Sequence, residues 1–87
     1  MAGIDWERAA RGAIHPLRIR IMDRAASDPK TRFAPTELAS EWDEPLGNVS
    51  YHVRALHSQG FLVAAGRRTV RGAVAHYYRA SVSLLRD

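Results

Sequence analysis

Eighty-seven residues with 46% apolar content describe one small globular domain, neither disordered nor long enough for a second core. Cysteine is absent, which excludes disulfides, thiolate metal sites and a cysteine nucleophile, and no apolar run approaches the roughly 18 residues of a membrane span. Charge is lopsided: residues 1–44 carry seven basic and eight acidic groups, whereas residues 45–86 hold six Arg and no Asp or Glu, the footprint of a polyanionic partner. Asp5 can cap a first helix over about Trp6–Ala13, with Trp6, Ala9, Ala10 and Ala13 as its apolar members. His15-Pro16 ends it, and Pro16 suits the first turn of a second helix running to about Ala26. Leu17, Ile21 and Ala25 form its stripe with Met22 beside them, and Ile19 falls off that stripe.

Ser27-Asp28-Pro29-Lys30 reads as a loop. Pro35 opens a third helix with Leu38, Ala39 and Trp42 inward and Glu37 favouring the N-terminal dipole. Asp43-Glu44-Pro45 connects it tightly to a fourth, which runs from Leu46 to Gly60. At 100° per residue Leu46, Val49, Val53 and Leu56 make an apolar stripe, and Gly47, Ser50, Tyr51, Arg54 and Ser58 gather roughly opposite. Beyond Gly60 the period changes. Phe61–Ala65 and Val74–Tyr78 are strand-like runs flanking a hairpin tip at Arg71-Gly72. Val74, His76 and Tyr78 alternate onto one face, and Ala75, Tyr77 and Arg79 onto the other, while residues 81–87 carry no assignable structure. The expected fold is mainly α with a small β-hairpin: four helices and two strands in a winged helix-turn-helix.

These residues resemble the ArsR-type winged-helix transcription regulators, in their compact, metal-free branch. The likeness rests on His15-Pro16-Leu17-Arg18-Ile19-Arg20-Ile21, Pro35-Thr36-Glu37-Leu38-Ala39 and Asn48-Val49-Ser50-Tyr51-His52-Val53-Arg54-Ala55-Leu56. It continues in Gly60-Phe61-Leu62-Val63 and Arg71-Gly72-Ala73-Val74-Ala75-His76-Tyr77-Tyr78-Arg79, so that residues 14–80 are covered in order. The resemblance implies a bacterial, dimeric, DNA-binding transcription factor acting in the cytoplasm at the nucleoid, with the positions of Ser50, Tyr51 and Arg54 approaching DNA. Three departures stand out. Ala34 replaces the Ser or Thr usual before the helix proline and cannot cap, a loss of about 1 kcal/mol. Asp43 replaces a turn Gly, and tolerates the left-handed conformation better than most residues. Little chain follows Tyr78, so dimerisation is expected to lean on Trp6, Ala9, Ala10, Ala13 and Ile19 rather than on a C-terminal helix.

Candidate DNA contacts follow from chemistry as well. Arg54 can reach guanine O6 and N7 or a phosphate, and Tyr51 a phosphate or a thymine methyl. Asn48 can read a base edge, Gly47 permits close approach, and Ser50 shares their face. Thr36 can donate to a phosphate, and Arg67, Arg68 and Arg71 can grip phosphates or enter a minor groove. The bland alternative for each is a solvated surface. His15, His52, His57 and His76 contain no i, i+4 pair, and His52 lies on the core side of its helix, so no metal is expected. No cofactor and no enzymatic activity are expected, since no phosphate loop, triad or paired acids occur. Trp6, Trp42, Phe61, Tyr77 and Tyr78 read as core or dimer contacts rather than base-stacking platforms, with Tyr77, on the less apolar strand face, left open between the two. The partner expected is double-stranded DNA, bound by a homodimer, with no membrane involved. Two rivals are a protein-interaction winged helix and a nonspecific DNA-organising protein.

Overall fold

The computed structural model describes residues 3–4 and 15–86. In chain order these form β1 (Gly3–Ile4), α1 (Pro16–Ser27), α2 (Pro35–Trp42), α3 (Leu46–Ser58), β2 (Leu62–Val70), β3 (Ala73–Ala80) and β4 (Leu85–Arg86). The helix expected over Trp6–Ala13 lies outside the described residues, as do the dimer contacts at Trp6, Ala9, Ala10 and Ala13.

Pro16 occupies the first turn of α1, where its missing N–H costs nothing, and His15 caps it by accepting the Leu17 N–H on Nδ1 at 3.0 Å. Leu17, Ile21, Met22 and Ala25 are buried, while Ile19 is 41% exposed. At α2 the cap is half made. Ala34 offers no side-chain acceptor, but the Glu37 carboxylate reaches back to accept the Ala34 N–H at 2.9 Å. Asp43 ends that helix in the left-handed region (φ 53°, ψ 45°), and its N–H and that of Glu44 both donate to the Ala39 carbonyl. This turn fixes the angle at which α3 leaves α2.

α3 buries Val49, Val53 and Leu56, each contributing about 1.5–3 kcal/mol, against a core that includes Leu38, Phe33 and Ile21. Its end is a Schellman motif: Gly60 at φ 86° lets its own N–H donate to His57 and the Phe61 N–H donate to Leu56. The apolar contact of that motif is supplied by Leu56 and Phe61, both buried. Leu46 corrects the expected stripe. It is 46% exposed, because it sits at the first helical position, roughly 70° from the centre of the arc that Val49, His52, Val53 and Leu56 bury.

β2 and β3 pair antiparallel, extending further than the expected runs, around a two-residue turn in which Arg71 (φ 52°) and Gly72 (φ 81°) both have positive φ. One extra residue between Ala64 and Arg67 makes a bulge, with Gly66 at φ 98°. Arg32 caps this irregularity by donating to the Ala65 carbonyl at 3.0 Å and laying its guanidinium 4.2 Å over the Tyr77 ring. Tyr77 is therefore buried and covered, a packing residue rather than a surface one. Two features escaped the sequence reading. Phe33 bridges Tyr78 through two 2.8 Å backbone hydrogen bonds, adding a third chain to the hairpin base. The tail is also ordered: Leu84 is fully buried, the Ser81 hydroxyl donates to the Gly60 carbonyl at 2.6 Å, and β4 pairs antiparallel with β1.

Candidate nucleic-acid interface

The inward face of α3 determines what its outward face can do. His52 lies on the buried side and accepts a hydrogen bond on Nδ1 from Arg18 Nε at 2.9 Å, tying α3 to α1. The His15 ring stacks on it at 4.3 Å between centroids. Burial chiefly, then the charges of His15 and Arg18, hold the His52 pKa below its ordinary value near 6.5. A neutral imidazole with Nδ1 unprotonated is what the Arg18 bond requires, so hydrogen bonding and burial agree.

With that face fixed, Gly47, Asn48, Tyr51 and Arg54 are exposed, Tyr51 at 59%, and Ser50 is half-buried at the flank turned toward the hairpin. Val74, His76 and Tyr78 share one face of β3, and the edge-on contact of Tyr78 with His57 of α3, 5.4 Å between ring centroids, aims that face at the helix. Between the two elements runs an open cleft of about 240 Å³. Ser50, Arg54 and Leu46 line one wall, Val74 and His76 the other, and Thr36 of α2 also lines it beside Ala34. Thr36, Ser50 and Arg54, proposed separately from the sequence, thus meet at one place.

The hairpin arginines divide. Arg67 pairs across the ladder with His76 and Arg68 with Ala75, so Arg67 shares the helix-facing side and Arg68 the opposite one, with Arg71 at the tip. Adjacent residues on a strand cannot both face the same surface. All three are exposed. Among the described residues the one salt bridge is Arg24–Glu41 at 3.2 Å, between α1 and α2, so Arg54, Arg67, Arg68 and Arg71 form no ion pair there. Among those residues no three metal-ligating side chains converge, and no helix is long and apolar enough to cross a membrane.

No protein-family model and no curated protein matches the chain in sequence. Solved structures do match. A possible transcriptional regulator from Methanosarcina mazei aligns with a TM-score of 0.71 at 14% identity, over 83% of this chain and 60% of that one. The transcriptional regulator HlyU from Vibrio vulnificus aligns at 0.63 and 15% identity, over 86% of this chain and 70% of that one. A homodimeric winged helix-turn-helix DNA-binding domain from Mycobacterium bovis, described as a possible ArsR-family regulator, aligns at 0.61 and 23% identity, over 85% of this chain and 61% of that one. This chain therefore spans less than two thirds of the first and last of these. At such identities the likeness concerns the backbone, and it agrees with three helices, a left-handed turn before the third, and a long antiparallel hairpin. The chain is a winged helix-turn-helix domain.

Proposed function

We propose that this domain is an ArsR-type transcription regulator that binds double-stranded DNA in a sequence-specific manner as a homodimer. The observation that carries the reading is the coincidence of an exposed small, polar and basic face on α3 with uncompensated arginines on the adjoining hairpin. A helix presenting Gly47, Asn48, Tyr51 and Arg54 suits a major groove: Gly47 allows close approach, Asn48 can reach a base edge, Arg54 a guanine edge or a phosphate, and Tyr51 a phosphate or a thymine methyl. Ser50 and Thr36 have hydroxyls that can donate to phosphate oxygens, and Arg67, Arg68 and Arg71 are suited to the backbone or a narrow minor groove.

Dimerisation is assigned to Trp6, Ala9, Ala10, Ala13 and Ile19. Ile19 supports this by being exposed on an otherwise well-packed helix, and the Mycobacterium bovis domain is described as homodimeric. Two copies would place two recognition helices about one DNA turn apart, roughly 34 Å, and read a pseudo-palindrome. The setting we assign is the bacterial cytoplasm, on the nucleoid. Selection of duplexes retained by the protein from a random pool tests the reading. Enrichment of two related half-sites separated by about one turn is expected. Retained DNA without an enriched sequence would mark a nonspecific DNA organiser, and no retained DNA would mark a protein-interaction module.

A further inference from the structure

The cleft between α3 and the hairpin has a mixed chemistry that neither wall explains alone. Leu46 and Val74 leave apolar surface open to water, at 46% and 53% exposure, where a helix and a strand could have closed on each other. Around that apolar lip stand donors from three elements: the Thr36 hydroxyl, the Ser50 hydroxyl, the Arg54 guanidinium and the His76 imidazole. A ring presenting mainly C–H surface, flanked by one anionic group, is the ligand such a lining matches. Deoxyribose with its phosphate has that form.

Topology of the duplex points to the same occupant. The major and minor grooves are separated by one sugar–phosphate strand, so a helix in the first and a hairpin in the second must straddle that strand. We infer that the α3–β3 cleft seats a single nucleotide of this dividing strand, with the sugar on Leu46 and Val74 and the phosphate on Ser50, Arg54 and His76. The inference rests on the DNA-binding reading and adds to it three residues that the charge pattern does not identify: Leu46, Val74 and His76. His76 can donate through a ring N–H in either protonation state, so its contact does not depend on carrying charge. Arg67, across the ladder from His76 on the same side of the hairpin, adds positive potential next to that phosphate.

A phosphate scan tests it. Duplexes of about two helical turns from the selected pool are made with one neutral methylphosphonate at a time, and affinities are measured for the wild type and for His76→Ala. His76 is exposed, so the substitution leaves the fold intact, which circular dichroism checks. At one position in each half-site, neutralisation should weaken the wild type about tenfold and His76→Ala clearly less, because the Ser50 and Arg54 contacts to that phosphate remain, while elsewhere the two losses add. Additive losses at every position would overturn the cleft assignment and leave DNA binding standing. Absence of salt-dependent duplex binding by the wild type would overturn both. A second pair of variants asks the same without the imidazole. Val74→Glu, which puts a carboxylate at the lip, should cost at least about tenfold on any duplex. Val82→Glu, the same charge change at a residue lining a different groove, should cost far less. Equal effects of the two would contradict the assignment.

Discussion

Arg54 and His52 lie less than one helical turn apart on opposite sides of α3, and each makes a distinct demand on that helix. Arg54 projects from the outward face without a carboxylate partner among the described residues. Arg54→Ala should therefore cost about 1–3 kcal/mol of specific binding and leave the unfolding midpoint nearly unchanged. Unaltered affinity of a folded variant for the selected duplex would remove Arg54 from the interface. His52 faces inward with a lowered pKa. The unfolded chain takes up a proton near pH 6.5 and the folded chain only at lower pH, so stability should fall as pH drops below about 6.5 and level off below the folded pKa. Urea midpoints measured from about pH 7.5 to about pH 5 should show this slope, reduced in His52→Gln. An identical slope in the variant would mean that other groups set the acid sensitivity. At this scale the sequence was a good guide to Arg54, Tyr51 and His52, whose helical angles decide their sides. It was a poor guide to Leu46 and Tyr77. Leu46 is apolar and at the edge of the stripe, where burial depends on how closely the hairpin approaches. Tyr77 is buried because Arg32, far away in sequence, reaches over its ring.

Element ends were the most readable part of this chain and strand lengths the least. Pro16, Pro35 and Gly60 mark helix starts and a stop because each backbone constraint is local. Asp43 takes the left-handed conformation expected of it. The hairpin's extent, the Ala64–Arg67 bulge and the Phe33 bridge depend on pairing between distant segments, which alternation within one run does not encode. The hairpin tip joins structure to function in one residue. Arg71 adopts φ 52° at the first turn position, where Asn or Gly is preferred, so it carries a local strain that its charge alone does not require. Arg71→Asn should raise stability by about 0.5–1 kcal/mol while weakening duplex binding. A variant that binds as tightly as the wild type would place the tip away from DNA, and one that is less stable would show that Arg71 makes a tertiary contact worth more than the strain.

As a whole molecule the domain confines its acids to one side of the fold, while its bases are spread over both. Acidic residues at positions 23–44 lie on α1, α2 and their connections, whereas α3 and the hairpin are acid-free, so the α3–hairpin side carries a positive field. The order of elements made the architecture legible in the sequence, and the charge asymmetry pointed to a polyanionic partner. The ordered tail was not legible there, since Leu84 and the β1–β4 pairing gain their meaning only when the two ends of the described chain meet. That pairing also changes how the dimer is best probed. Deleting the N-terminal segment would remove β1 together with the proposed interface, whereas Ile19→Glu alters an exposed side chain alone. Sedimentation at micromolar concentration should find a dimeric wild type and a mainly monomeric Ile19→Glu. A dimeric variant, or a monomeric wild type, would put the interface elsewhere.

The claim on which the rest depends is that the α3–hairpin face binds duplex DNA through phosphates and reads its bases. Fluorescence anisotropy of a selected duplex and a random duplex of equal length, titrated with the wild-type protein at a series of salt concentrations, addresses it most directly. Log affinity should fall linearly with log salt, with a slope of about 0.9 for each phosphate contacted, and the selected duplex should bind at least about 1,000-fold more tightly than the random one. Binding that is absent, insensitive to salt, or equal for the two duplexes would contradict the account.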